Sequence, residues 1–180
     1  MPRLYFEESP VIAAVKTAEE LKTALSSDVE IVFLLHATLS NLGRRMELAR
    51  EAGKKLFIHM DLVEGLSKDA AGVEFLATMK PDGIISTRQS FIRRAKELGL
   101  VAILRVFLLD SIALESLDKI PANLPDCLDL LPGAMPKILR RVCANAKVPV
   151  LTGGLIADKE DVLAALEAGA TAISTTNQAV

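Results

Sequence analysis

The sequence predicts an α/β architecture, a single small (β/α)8 barrel of the TIM type over residues 1–180. Three observations point to it. Short apolar, β-branched runs recur, with starts about 23 residues apart. Amphipathic helical patterns lie between them. The runs themselves are nearly continuous in apolar character instead of alternating, as expected of strands covered on both faces in a parallel sheet. An open doubly wound sheet is the alternative, but eight strands is many for 180 residues, and no GxGxxG follows the first run.

The first strand is Val11–Val15. Thr17 with Glu20 then reads as a capping box for a helix reaching about Leu25. The second strand is Glu30–Leu35, followed by helical spacing of Leu42, Met46 and Ala49 within 41–52. The third is Lys55–His59, followed by Val73, Leu76 and Met79 within 69–79. Gly83–Ser86 is the fourth, and Phe91, Ile92, Ala95 and Leu98 form one stripe within 88–98. Val101–Arg105, Cys127–Leu131, Val148–Thr152 and Thr171–Thr175 complete the strands, with helices at 111–119, 135–144 and 158–168 between them. Asp158 is the expected N-cap of the last helix, with Asp161 three residues on. Glu51-Ala-Gly-Lys, Glu97-Leu-Gly-Leu and Glu167-Ala-Gly-Ala each close a helix with Gly before a strand, the C′ position where positive φ is needed. Five residues follow Thr175, so the eighth helix is expected to be short or absent, with segment 1–10 as another element able to close the barrel.

Composition sets bounds. The chain is 51% hydrophobic and carries 21 basic against 23 acidic residues, a net charge of −2. Charge is even, with 11 basic and 13 acidic residues in the first half and 10 of each in the second. This excludes a strongly cationic nucleic-acid module, although not weaker or local RNA binding. Cys127 and Cys143 form no CxxC, and with His36 and His59 the only histidines, a structural zinc site is not expected. Two reduced thiols fit a cytosolic protein. The start MPRLYFEESP is no secretory signal, and the longest uncharged run, Ile31 to Gly43, is too short to span a membrane. A soluble, cytoplasmic protein without membrane association is expected.

In such barrels chemistry sits at the C-terminal ends of the strands, and phosphate is often held by the loops after strands 7 and 8. Those loops carry Thr152, Gly153 and Gly154, and Ser174, Thr175 and Thr176. Glycines let backbone N–H groups approach an anion, and hydroxyls add donors; the bland reading is a tight turn with polar filler. His36, Asp61, Arg105 and Asp129 are the candidates to contact a polyol. Arg105 and Asp129 lie on neighbouring strands, as an interior ion pair or as a ligand clamp. His59 and Asp61, two apart, share one side of their strand. That pairing is compatible with a metal site, but a packed histidine and a capping aspartate fit better, and no metal is expected. No nucleophile lies beside a base, and Lys55 opens its strand at the wrong end for a Schiff base. The mouth reads as built to hold a small phosphorylated polyol more than to transform it.

Cations cluster at Arg44, Arg45 and Arg50, at Arg93, Arg94 and Lys96, and at Lys137, Arg140 and Arg141. Each cluster reads as the solvated face of an amphipathic helix. Most aromatics fall on strands or apolar stripes, so RNA recognition would rest on shape and phosphates.

Five segments together carry a resemblance. They are Asp82-Gly-Ile-Ile-Ser-Thr-Arg88, Leu104-Arg-Val-Phe-Leu-Leu-Asp-Ser111, Pro125-Asp-Cys-Leu-Asp-Leu-Leu-Pro-Gly133, Thr152-Gly-Gly-Leu-Ile156 and Ile173-Ser-Thr-Thr176. In this order they resemble the glycerol-3-phosphate-responsive antiterminators, regulators of bacterial glycerol uptake operons. The resemblance implies a non-catalytic barrel without cofactor. Its effector would be glycerol 3-phosphate, held at the Gly153-Gly154 and Ser174–Thr176 loops, and it would act on leader mRNA to prevent early termination. Two departures stand out: Asp129 is found where the family pattern has Glu, so its reach is shorter, and the sequence stops soon after the last motif, where a short hydrophobic closing segment would be expected. Arg93, Arg94 and Lys96 are the RNA-contact candidates, and effector-dependent association of two copies is expected to accompany tight RNA binding. The alternative is an enzyme on a phosphorylated metabolite, such as an epimerase, isomerase or phosphodiesterase.

Overall fold

The structure, a computed structural model, describes residues 3–177. Eight parallel strands close into a barrel: β1 (Val11–Val15), β2 (Ile31–Leu34), β3 (Lys55–His59), β4 (Gly83–Ser86), β5 (Val101–Phe107), β6 (Cys127–Leu131), β7 (Val150–Gly153) and β8 (Ala172–Thr175). Each pairs with its neighbours in sequence, and β8 closes on β1 through Val11↔Ile173 and Ile12↔Ser174. The helices are α1 (Arg3–Glu8), α2 (Ala18–Ser26), α3 (Leu39–Glu51), α4 (Ala70–Met79), α5 (Gln89–Glu97), α6 (Ser111–Ser116), α7 (Pro136–Asn145) and α8 (Lys159–Glu167). The predicted barrel is therefore present, and every predicted strand is found within two residues of its expected ends.

Alternation along the strands explains why the runs look continuously apolar. One set of side chains, among them Ile12, Ile31, Phe33, Phe57, Ile103 and Leu151, fills the barrel interior. The other set, including Val32, Ile58, Ile84, Leu104 and Leu130, packs outward against Leu42, Leu76, Ile92 and Leu139 of the helices. Both faces are dry, so each strand residue is apolar unless the interior needs it otherwise.

Helix ends follow the local chemistry. Glu20 N–H donates to Thr17 Oγ1 at 3.1 Å and Thr17 N–H to Glu20 Oε2 at 3.1 Å, the predicted capping box. Asp158 Oδ1 accepts from Asp161 N–H at 3.0 Å, as expected of an N-cap. Gly53, Gly99 and Gly169 end α3, α5 and α8 with φ of 68°, 77° and 106°, the left-handed turn the repeat implied.

Some local features were not anticipated. A short helical turn, Met60–Leu62, follows β3, and Ala37–Thr38 pairs with Val63–Glu64 in a two-stranded patch at the rim. The 111–119 helix splits into α6 and a 3₁₀ turn, Leu117–Lys119. Within the N-terminal segment expected to be able to close the barrel, residues 3–8 are helical and insert Phe6, which is fully buried, beside Phe57 at 5.5 Å between ring centroids. Helix α1 precedes β1, so it closes the interior at the N-terminal end of the barrel. The last residues, 178–180, where an eighth helix would begin, lie outside the described residues. No helix among those described is long and apolar enough to cross a membrane.

Candidate functional site

The interior register carries polar groups at the C-terminal end. Strand β5 aims Arg105 inward, and β6 aims Asp129 at it, the two being Cα partners. Arg105 Nε and Nη2 both donate to Asp129 Oδ2, at 2.9 and 2.8 Å. The pair is buried, with side chains 6% and 0% exposed. Only two of the five guanidinium N–H groups are used in this contact. Asp129 Oδ1 is buried and has no hydrogen-bond partner among the described residues. Burial pushes the Asp129 carboxyl up, against the pull of the Arg105 charge and its hydrogen bond.

His59, at the inward end of β3, joins them. It is buried, and its Nδ1 likewise lacks a partner among the described residues. Desolvation first, then the nearby Arg105 charge, lowers its pKa to about 4, so the imidazole is neutral at pH 7. Sequence reasoning read His59 as a packed histidine. The signal for more was the period-two alternation Lys55, Phe57, His59, which puts all three on the inner face. The folded pKa lies below the ordinary 6.5, so the unfolded chain takes up a proton as pH falls through that window. Stability is therefore expected to fall between about pH 6.5 and 4, by up to about 3 kcal/mol. Thermal melts across that range should show the loss in the wild type and a much flatter profile in His59→Gln.

Opposite lies the glycine turn. Gly153 faces inward from β7 beside Ser174 of β8. A Cβ at 153 would fall 2.2 Å from Ser174 Oγ and 2.7 Å from its carbonyl oxygen, so only glycine brings this backbone so close. Gly154 and Leu155 both have positive φ, 77° and 59°. Gly133 N–H of the β6 loop donates to the carbonyls of Gly153, at 2.6 Å, and Gly154, at 3.0 Å. In a planar trans peptide the N–H points opposite its carbonyl. The N–H groups of Gly154 and Leu155 are thus turned away from the β6 loop. Asn177 Nδ2 donates to Ala157 O at 2.6 Å, tying the β8 loop to this turn.

The remaining expected residues take other places. Thr152 points outward and donates to Leu130 O at 2.7 Å. Thr175 Oγ1 accepts from Asn177 N–H at 3.0 Å, while Thr176 is exposed. Asp61 spends both oxygens on the end of β4 and the loop after it, accepting from Ser86 Oγ at 2.8 Å, Thr87 N–H at 2.8 Å and Thr87 Oγ1 at 2.9 Å. It braces two loops, and its charge acts on His59 from there. His36 sits on the rim against Glu64 at 2.8 Å, with its side chain 44% exposed. The structure thus brings Arg105, Asp129, His59, Gly153 and Ser174 together, and leaves His36 and Asp61 to other partners. No group of three or more His, Cys, Asp or Glu side chains that could hold a metal occurs among the described residues. Lys55 ion-pairs with Asp82 at 3.2 Å at the far end of β3. Of the expected RNA contacts, Arg94 is paired with Glu74 and Glu97, at 2.7 and 2.8 Å, Lys96 with Asp126 at 3.1 Å, and Arg93 is exposed.

Comparison with known proteins places this arrangement. A curated Escherichia coli K12 protein, the uncharacterised YgcP, is 39% identical over 183 residues, covering 100% of this chain and 96% of its own. Among solved structures, a glycerol uptake operon antiterminator regulatory protein from Listeria monocytogenes superposes with a TM-score of 0.89. It is 35% identical and covers 93% of this chain and 91% of its own. A glycerol uptake operon antiterminator-related protein from Thermotoga maritima gives 0.83 at 30% identity, over 94% and 96%. A deoxyribose phosphate aldolase from Aeropyrum pernix, at 0.71 and 16% identity over 99% and 89%, shares the fold alone. The family model described as glycerol-3-phosphate responsive antiterminator matches residues 11–180, and the chain belongs to that family.

Proposed function

We propose that this protein is a cytoplasmic, effector-responsive antiterminator of a glycerol uptake operon, which takes glycerol 3-phosphate into the barrel mouth and leader mRNA on its outer surface. The phosphate would lie on the N–H groups of Gly154 and Leu155 and the hydroxyls of Ser174 and Thr176. The polyol would reach down to the spare N–H groups of Arg105, Asp129 Oδ1 and His59 Nδ1. One observation carries this reading. Two buried polar atoms, on His59 and Asp129, have no partner among the described residues, in the same interior as a guanidinium with donors to spare. Such groups are costly to bury unless something pairs with them.

The same interior supports binding over turnover. The one inward lysine identified, Lys55, lies at the opposite end of the barrel from this cluster, and a histidine held near pKa 4 is a poor proton donor at neutral pH. Asp129, the remaining carboxyl there, is raised by burial but takes two Arg105 hydrogen bonds on one oxygen and faces no nucleophile among the described residues, an arrangement suited to accepting from a ligand hydroxyl. Effector binding is expected to favour association of two copies, which doubles the surface offered to RNA.

The test is a thermal-shift series with glycerol 3-phosphate, glycerol and inorganic phosphate. Glycerol 3-phosphate at about 100 times its dissociation constant should add roughly 2.7 kcal/mol of stability. Glycerol at the same concentration should add nothing measurable. Equal shifts with glycerol and with its phosphate would sink the phosphate site.

A further inference from the structure

The cations of this protein are not equivalent, and the difference marks one face. On α3, Arg44 pairs with Glu47 and Glu51, Arg45 donates to the carbonyls of Lys16 and His36, and Arg50 donates to those of Met79 and Lys80. On α5, Arg94 and Lys96 are spent on Glu74, Glu97 and Asp126, which leaves Arg93 as the one cation of that cluster whose side chain forms no ion pair or hydrogen bond among the described residues. On α7 the pattern changes. Lys137, Arg140 and Arg141, with Lys147 just beyond the helix, are all exposed, and their side chains form no ion pair or hydrogen bond among the described residues. Lys137 stands three and four residues before Arg140 and Arg141, so these charges share one helical face. From Leu130 to Ala157 the chain carries these four cations and no Asp or Glu. A protein of net charge −2 therefore keeps a local patch of four unneutralised positive charges.

Beside that patch lies a groove of about 430 Å3, between α7 and the α6 segment with its 3₁₀ turn. Leu117, Ile120, Pro121 and Val142 contribute apolar wall, and Arg141 and Asn145 stand on its α7 side. Asp118 supplies the acidic group of the lining, on the opposite wall. An apolar slot edged by a guanidinium and an amide suits an unstacked nucleobase, and the flanking charges suit the phosphates on either side of it.

We infer that the α7 face and the α6–α7 groove form the RNA-binding surface, and that the RNA is single-stranded where it is held. This rests on the antiterminator reading above and replaces the α5 cluster as the contact surface. Four phosphate contacts predict a log–log salt slope of roughly −3 from this face, at about −0.7 each on single strands.

The experiment is fluorescence anisotropy on a labelled glycerol uptake operon leader transcript, with glycerol 3-phosphate present, at 50 to 200 mM salt. Three proteins are compared with the wild type: K137Q/R140Q/R141Q/K147Q, the half-set R140Q/R141Q, and R93Q/R94Q/K96Q. The four-site variant should bind much more weakly at 50 mM salt, and the advantage of wild type over it should shrink about 50-fold by 200 mM. The half-set should lose about half of the slope, and the α5 variant should follow the wild type. Because the α7 cations touch no other side chain by ion pair or hydrogen bond among the described residues, the two α7 variants should melt with the wild type, whereas the α5 variant gives up three ion pairs and is compared on binding at a temperature where it is folded. Wild-type affinity and slope in the four-site variant would overturn this surface while leaving the antiterminator reading intact, and would hand the patch to another anionic partner. Loss in the α5 variant alone would return the contact to α5. No binding by the wild type in any condition would overturn the surface and the RNA reading together.

Discussion

Replacing Arg105 with alanine is expected to cost the fold about 3–5 kcal/mol and to abolish the response to glycerol 3-phosphate. The stability loss comes from the partner left behind. Asp129 is fully buried, and one of its oxygens has no partner among the described residues even before the substitution. Without the guanidinium, a carboxylate would stand alone in a dry interior. For a chain of this length such a loss corresponds to a fall in Tm of roughly 6–20 °C. Its pH dependence has a definite sign. Burial already raises the Asp129 carboxyl, and losing the Arg105 charge raises it further. The unfolded carboxyl ionises near its ordinary value, so unfolding releases a proton as pH climbs through the window between the two. The variant should therefore be more damaged at pH 8 than at pH 5. The double variant Arg105→Met/Asp129→Leu separates fold from ligand. Well-packed apolar replacements of a buried pair are often neutral or stabilising, so melting should recover while the ligand response stays absent. A double variant that still responds to glycerol 3-phosphate would remove this pair from the binding site.

The barrel was legible because its evidence is local and repeated. Period-two burial on both faces produces runs such as Glu30–Leu35, and capping residues such as Thr17, Glu20 and Asp158 act within a few positions of themselves. The Arg105–Asp129 pair was legible for a related reason: adjacent parallel strands place residues at equal height in register. What depends on distant partners was not. Asp61 reads from sequence as a polyol contact or a capping aspartate, but Ser86 and Thr87 come back 25 and 26 residues later to occupy it. Arg94 and Lys96 looked solvated like Arg140 and Arg141, until Glu74 and Asp126 were brought beside them by the helix ring. His59 alone on an apolar strand carries no sign of which charge it will face. Helix α1 was hidden by its shortness, since six residues are too few for a periodic signal.

That short helix is where the second large effect is expected. Phe6 is wholly buried, and its ring lies 5.5 Å from Phe57, which in turn meets Phe33 at 5.7 Å in an edge-on contact. Phe33 and Phe57 are inward residues of β2 and β3, so Phe6 adds a side chain to the interior packing from below. Six residues of isolated helix would not persist in water, so packing of this ring, more than helix propensity, holds α1 in place. Other ties are weak. Lys55 Nζ stands 5.1 Å over the exposed Tyr5 ring, a contact of roughly 0.5–1 kcal/mol, and Ser9 donates to Glu30 at 2.7 Å. Phe6→Ala should therefore cost about 3–5 kcal/mol, the range for removing a buried phenyl ring. Phe6→Leu should cost far less, because it keeps most of the apolar volume. Since α1 sits at the end of the barrel opposite Arg105, Gly153 and Ser174, the variant should keep its stabilisation by glycerol 3-phosphate even as its baseline Tm falls. Thermal melts of both variants with and without that ligand decide the matter. An unchanged Tm in Phe6→Ala would mean that α1 does not close the barrel, and a lost ligand response with a normal baseline would mean that the two ends of the interior are coupled.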